Sequence, residues 1–353
     1  MKELMSFYKG KKVFVTGHTG FKGTWLCHIL ATCGAEVLGY SEGFPTNPSL
    51  YKLAKTDNLV KSQIGDIRDF ELLSKTYKDF LPDIVIHLAA QPLVRESYSF
   101  PRYTYETNVM GTVNLLECIR LFPSAFSVLN VTTDKVYENK EWEWGYRETE
   151  ALNGYDPYSN SKSCSDIVTQ SYIKSFFYDS GSPAISIARA GNVIGGGDFS
   201  KDRIIPDSVK ACCNKQAIFV RNPFSIRPYQ HVLEPLSAYL WILYKQSIDR
   251  SLADSYNVGP NEDDCVTTKE LVSLFCEAWG EGARWESKAQ KNALHEANFL
   301  KLDCSKIKSR LGWHPIWDIR QAVAATVDWS KVWQSGNDVS SEMDIQIKKY
   351  FGF

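Results

Sequence analysis

The sequence predicts an α/β protein built on a Rossmann-type doubly wound parallel sheet, with a smaller mixed α/β part beside it. Three observations carry this. A buried-strand pattern at Lys12–Thr16 runs straight into Gly17-His18-Thr19-Gly20-Phe21-Lys22-Gly23 and then into a helical run from Thr24. Apolar strand patterns and helical patterns then alternate as far as Arg189, the signature of parallel βαβ units. The segments richest in chemistry follow strands, and in such sheets ligands bind beyond the C-terminal strand ends.

Taken in order, the strand–glycine turn–helix opening is a dinucleotide-binding signal. Its glycines let backbone approach a pyrophosphate, and the helix N-terminus supplies amide donors. The spacing is Gly-x-x-Gly-x-x-Gly, not the Gly-x-Gly-x-x-Gly of the common fingerprint. His18 is placed either against the pyrophosphate or at a plain turn position. Glu36–Tyr40 is the second strand. Its end reads Tyr40-Ser41-Glu42, without the terminal acid that usually binds the adenine ribose and without an arginine for a 2′-phosphate. This favours NAD over NADP. Gln63–Arg68 ends the third strand; there Asp66 and Ile67 are expected at the adenine, Asp66 alternatively capping the helix from Phe70. Asp83–Ala90 is the fourth strand, and Leu88, Ala89, Ala90 and Gln91 are expected along the cofactor. Pro101–Leu121 reads as one long helix carrying Thr107 and Asn108. Ser127–Thr132 is the fifth strand, Tyr158–Phe177 a second long helix, and Ala184–Arg189 the sixth strand.

Past this point the alternation weakens. A helix starts near Asp202–Asp207, another follows Arg227–Val232, Ser255–Gly259 is a short strand, and Thr268–Trp279 and Ile319–Trp333 are amphipathic helices. The expected organisation is a dinucleotide-binding domain over 1–190, rejoined by 227–259, and a substrate domain over 191–353.

Composition sets limits. The 353 residues are 44% hydrophobic and 23% charged with a net charge of -1, which points to neither a nucleic-acid nor a membrane partner. The N-terminal stretch lacks the apolar core of a signal peptide. The nine cysteines show no Cys-x-x-Cys, so no metal site is expected and the thiols read as reduced, in a cytoplasm. The 13% aromatic content suits a sugar- or base-binding cleft, though aromatics also simply fill cores.

The chemistry gathers between Thr132 and Lys162. Tyr158 and Lys162 lie one helical turn apart, on one face. A lysine ammonium there is expected to lower the phenol's pKa and make it a usable acid or base, with Thr133 bonding the same substrate hydroxyl. The structural alternative is a buried tyrosine beside a surface lysine.

With these residues in view, the chain resembles the extended short-chain dehydrogenase/reductases, in the nucleotide-sugar epimerase/dehydratase branch. Gly17-x-x-Gly20-x-x-Gly23, His87-Leu88-Ala89-Ala90, Thr133-Asp134 and Tyr158-x-x-x-Lys162 stand in the family's order. Longer segments, among them Ala90–Arg95, Asp156–Lys162, Arg189–Asp198 and Arg227–Pro235, look most like the CDP-glucose 4,6-dehydratases. The resemblance implies an internal NAD redox cycle on CDP-glucose: oxidation at C4, elimination across C5 and C6, and reduction at C6. It gives Tyr158, Lys162 and Thr133 to C4. It gives Asp134, its pKa raised by burial, to O6 as the acid. Where related dTDP-glucose dehydratases carry an Asp-Glu pair, this chain has Asp134-Lys135. Lys135 is then either the C5 base, which requires a neutral amine, or a cation over the enolate while Tyr158 takes the C5 proton.

The resemblance further implies that Arg95, Asn108, Asn192, Arg203, Arg227, Asn257 and His295 contact the substrate, and that the two long helices form the core of a homodimer or of a dimer of dimers. The product is expected to feed dideoxysugar synthesis for a bacterial surface polysaccharide. Two other functions share parts of the pattern. A nucleotide-sugar 4-epimerase needs Tyr158, Lys162 and Thr133 but not Asp134 and Lys135. A non-catalytic NAD(P)-binding sensor needs none of them.

Overall fold

The computed structural model describes residues 2–287 and 299–352. Seven parallel strands form one sheet. They are β1 (Lys12–Thr16), β2 (Glu36–Ser41), β3 (Lys61–Ile64), β4 (Ile84–His87), β5 (Ser127–Thr133), β6 (Ala184–Ala190) and β7 (Ser255–Val258), in spatial order β7-β6-β5-β4-β1-β2-β3. The order reverses between β1 and β4, which leaves a crevice beyond their C-terminal ends.

Strand sequences explain the two covered faces. In β1, Val13 and Val15 join an apolar cluster with Trp25, Ile29, Leu236 and Leu240, while Phe14 points the other way into a cluster with Tyr77, Leu115 and Ile119. Parallel strands buried on both faces read as continuous apolar runs, as these do. A third cluster holds Ile205, Ile218, Leu271, Phe275, Trp279 and Val323. It packs the helices Ile204–Cys213, Thr268–Trp279 and Ile319–Gln334 around the strand Ile218–Val220. The expected helix over Pro101–Leu121 is one helical run with a π turn at Glu106–Met110. That turn adds a residue to the helical repeat and shifts the side chains after it.

Two devices fasten the crevice. The first is a buried ion pair. The helix Pro157–Phe176 carries Asp166, fully sealed, and β6 carries Arg189, 1% exposed. Arg189 Nε donates to Asp166 Oδ2 at 2.8 Å and Nη2 to Oδ1 at 3.0 Å. Arg189 Nη1 reaches on to the Tyr137 hydroxyl and the Glu148 carbonyl, each at 2.9 Å. The second is Gly196. Its carbonyl accepts from Trp25 Nε1 at 3.0 Å, and a Cβ on it would lie 2.0 Å from the Trp329 ring. Only glycine fits between these two indoles.

Removing one member of a sealed pair strands the other charge, which costs about 3–5 kcal/mol. Asp166→Ala should therefore lose stability of about that size in urea unfolding. A loss below about 1 kcal/mol would mean that water reaches Arg189 in the folded protein.

Candidate active site

The crevice opens into a cleft of about 1580 Å³. Ligand pockets are commonly some 300–1,000 Å³, so this one has room for two sizeable ligands at once. Gly17, Gly20, Phe21, Lys22, Gly23, Ser41, Ile67, Leu88, Ala89, Ala90, Gln91, Thr107 and Thr132 all line it.

The glycine turn is as tight as its sequence suggests. Gly17 sits at φ 76°, and a Cβ on it would come 2.7 Å from the Ala89 nitrogen. On Gly23 a Cβ would lie 2.2 Å from the Gly17 carbonyl oxygen. Gly20 caps the helix Phe21–Thr32 without a side chain, so the first-turn amides are left for an anion.

His18 does not take part. Its ring is fully buried behind the turn, with Nδ1 2.8 Å from Ser41 Oγ and Nε2 2.7 Å from Ser62 Oγ. The space comes from Gly39, where a Cβ would stand 2.1 Å from the imidazole. Burial lowers the His18 pKa to about 4, so the ring is neutral. Asp66 also differs from expectation. It accepts from the backbone and guanidinium of Arg68, including an Nε bond at 2.9 Å, and Asp69 caps the helix Phe70–Phe80 instead, through Leu72 N. Gly65 and Ile67 on either side of Asp66 line the cleft. Glu42 lines the same end and accepts from the Tyr103 hydroxyl at 2.8 Å.

The reactive side chains converge from β5 and the helix Pro157–Phe176. β5 ends in Thr133, whose hydroxyl caps the short turn Asp134–Val136. Thr133 Oγ1 donates to Asp134 Oδ1 at 2.9 Å. Asp134 is 1% exposed, and its Oδ2 has no protein partner among the described residues. Lys135 Nζ lies 3.3 Å from Asp134 Oδ1 and 3.3 Å from Asn192 Oδ1. Asp156 caps the helix by accepting from Ser159 N at 2.9 Å, with Pro157 at its first position. Tyr158 thereby falls in the first turn and lines the cleft beside Thr133 and Asp134. Lys162, one turn on, donates to the Val131 carbonyl at 2.8 Å.

The electrostatics correct one expectation. Removal from water pushes the Tyr158 phenol up to about 12, with Thr133 and Arg203 easing it down and Asp134 opposing them. Burial also lowers Lys162 to about 8, against a favourable contribution from Asp166. Within the cleft desolvation outweighs any lowering of the phenol by Lys162. Lys22 is lowered to about 7 by burial and then by Arg203 and Lys162, which marks a concentration of positive charge.

The polar residues expected at the substrate divide in two. Arg95, Asn192, Arg203 and Arg227 line the cleft. Arg95 reaches Asp202 at 3.2 Å, and Arg203 reaches Asp198 at 2.9 Å. Asn108 and Asn257 do not line it. Asn108 is sealed, accepting from Gln91 N at 2.8 Å and donating to Ser161 Oγ at 2.9 Å, so it braces the Gln91 loop against the helix. Asn257 is sealed too, accepting from the Tyr137 hydroxyl at 2.6 Å and donating to the Tyr146 carbonyl at 2.7 Å. His295 lies outside the described residues. Sequence reasoning missed Arg221, which lines the cleft and pairs with Asp202 at 3.2 Å. A lone arginine after a short strand gave no signal.

The family described as GDP-mannose 4,6 dehydratase matches residues 14–326, and the chain belongs to it. CDP-glucose 4,6-dehydratase of Salmonella typhimurium is 48% identical over 339 residues, spanning 95% of this chain and 94% of that protein. A dTDP-glucose 4,6-dehydratase of Xanthomonas campestris pv. campestris is 27% identical, spanning 91% and 94% respectively. Among solved structures, dTDP-glucose 4,6-dehydratase of Bacillus anthracis in complex with NAD superposes with a TM-score of 0.78. It is 22% identical and spans 94% of this chain and all of that one, a likeness of fold.

The tight turn carries its own prediction. Gly23→Ala puts a methyl into the Gly17 carbonyl and should cost about 1–3 kcal/mol in thermal or urea unfolding. Gly20→Ala, whose Cβ would meet that oxygen at 3.4 Å, should stay within about 0.5 kcal/mol of the parent.

Proposed function

We propose that this chain is a lyase that converts CDP-glucose to CDP-4-keto-6-deoxyglucose and water, with NAD as its resident cofactor. The observation that carries the reading is the Asp134–Lys135 pair, 3.3 Å apart, beside Tyr158 in a chain 48% identical to a CDP-glucose 4,6-dehydratase. A 4-epimerase has no use for an acid at O6, and a sensor has no use for any of these groups.

NAD fits the residues present. The uncapped helix N-terminus behind Gly17–Gly23 suits its pyrophosphate. Ser41, Glu42 and Ile67 suit its adenosine end, where the Glu42 carboxylate disfavours a 2′-phosphate. Leu88, Ala89, Ala90, Gln91, Thr107, Thr132, Tyr158 and Lys162 complete the wall. Bound there, NAD supplies the acceptor for hydride from C4 and the donor for C6.

The chain's own residues handle the protons. Tyr158, as phenolate, takes the proton of the 4-hydroxyl, which Thr133 orients. The 4-keto group acidifies C5–H, and Lys135 serves the C5 side of the elimination. Asp134, whose Oδ2 has no protein partner among the described residues, is the acid that protonates O6 as it leaves. Arg95, Arg203, Arg221 and Arg227 provide the cations for a diphosphate, which arginine clamps with paired donors. All nine cysteines are unpaired, as a reducing compartment such as the cytoplasm keeps them. No helix of the described residues is long and apolar enough to cross a membrane.

Incubation with CDP-, UDP-, GDP- or dTDP-glucose, each with NAD, tests the reading. CDP-glucose should give the 4-keto-6-deoxy product, read by its absorbance in base, with kcat/KM at least about tenfold above the others. A C4-epimerised product, or equal use of another nucleotide, would overturn it.

The reading includes a homodimer. Met110, Leu121 and Ile167 are each about half exposed, on neighbouring helices that also bear the site. A second copy of the same helix pair is the occupant that covers such a face isologously. Sedimentation velocity should show a dimer that Ile167→Glu shifts toward monomer; a wild-type monomer at micromolar concentration would exclude it.

A further inference from the structure

Lys135 is the reactive side chain least constrained by its own shape. It ends in one nitrogen on a four-carbon stem, and rotamer entropy opposes any single orientation of it. The side chain is 31% exposed, so packing alone does not hold it. Two acceptors do. Lys135 Nζ donates to Asp134 Oδ1 and to Asn192 Oδ1, each at 3.3 Å.

Both acceptors are themselves fixed. Asp134 is 1% exposed, and its Oδ1 also accepts from Thr133 Oγ1 at 2.9 Å. Asn192 follows β6, and its carbonyl accepts from Gln230 N at 3.0 Å. The preceding Gly191 N donates to the Val258 carbonyl at 3.2 Å. A Cβ on Gly191 would come 2.7 Å from the Pro228 ring, so the chain is held closely there. β5 and β6 pair with Thr133 opposite Ala190. Lys135 and Asn192, each two residues further on, therefore meet beyond the strand ends, where both line the cleft.

The number of acceptors matters. Beyond its bond to Cε, Nζ has three further tetrahedral positions. Asp134 and Asn192 engage two of them. The third is the lone pair of an amine or the last N–H of an ammonium, and it is left for a ligand in the cleft. With one acceptor the nitrogen would swing about a single hydrogen bond. With two, its free position has one direction.

We propose that Asn192 is a positioning residue that acts through Lys135, aiming the free position of Nζ at C5 of the sugar for the elimination. The inference rests on the dehydratase reading. It moves the Asn192 amide oxygen from the substrate, where the family resemblance puts it, to the lysine beside it. Asn192 makes and breaks no bond in the reaction. Its effect is on where Lys135 points, and a displacement of about 1 Å at a reacting group can cost about 100-fold in rate. Oxidation at C4 uses Tyr158 and Thr133 and does not call on Lys135. The two halves of the cycle should therefore respond differently to Asn192.

Single-turnover kinetics on the NAD-loaded protein test this with Asn192→Ser and Asn192→Ala, whose side chains are too short to reach Lys135. Both variants should bind CDP-glucose within about threefold of the parent and form NADH at the parent's rate. The NADH absorbance should then persist, decaying about 100-fold more slowly than in the parent, because the 4-keto sugar waits for elimination. Added to Lys135→Met, Asn192→Ser should slow elimination by less than about threefold further, since residues that act as a unit are not additive. If Asn192 instead holds the substrate, the variants will bind CDP-glucose at least about tenfold more weakly with no stored NADH. The full loss will also recur in the Lys135→Met protein. Either result overturns the inference. A wild-type protein that forms no 4-keto-6-deoxy sugar would remove the dehydratase reading itself, a result seen before any variant is compared.

Discussion

A carboxylate and a guanidinium, both shut off from water, meet between the helix Pro157–Phe176 and β6. The site depends on this contact. Asp166 lies two turns beyond Tyr158 and one beyond Lys162 on the same helix, so fixing Asp166 fixes the row. Arg189 extends the hold to Tyr137 and Glu148, which belong to the segment that follows Asp134 and Lys135. The two groups of reactive side chains, one on the helix and one after β5, are therefore referenced to the same buried charge. A hydrophobic pair of equal volume would pack the sheet as well, but would leave the helix free to rotate on its axis. The directional, two-pronged geometry of an arginine on a carboxylate removes that freedom.

The cleft built on this frame is densely charged, with eight basic and eight acidic residues along its walls. Lys22, Lys135, Lys162, Arg203 and Arg227 face one space, with Asp134 and Asp198 opposite. Burial is the main cause that lowers Lys22, with Arg203 and Lys162 adding to it, while Asp198 holds Arg203 above its ordinary value. The arginines among these residues suit ligands carrying phosphates, whichever sugar is attached.

Much of this was legible in the sequence, and the limits have physical causes. Apolar runs and glycine spacing revealed the sheet, because strands buried on both faces leave little choice of residue. The pairing of Asp134 with Lys135 and the Tyr158–Lys162 spacing were legible because adjacent positions and helical turns fix distances before any tertiary structure is known. Side-chain direction was not. His18, Asn108 and Asn257 all sit in motif-rich stretches, and all three point away from the cleft. What turned His18 was a missing side chain at Gly39, twenty-one positions later, and nothing local betrays such a gap. The state of the Tyr158 phenol was equally hidden, since desolvation is a property of the assembled cleft. Arg221 was invisible because its importance comes only from which wall it stands on.

Gly196 shows how far the two sides of the cleft are bound to each other. Its peptide is held by Trp25, from the helix behind the glycine turn, and is closed over by Trp329, from a helix in the C-terminal part of the chain. Both indoles are sealed, so neither has slack to absorb a change in the other. Variation in one wall of the cleft must therefore be matched across a single peptide by variation in the opposite wall. Cofactor side and substrate side are in this sense one inherited unit, and a graft of either alone onto a related scaffold would arrive with its counterpart missing.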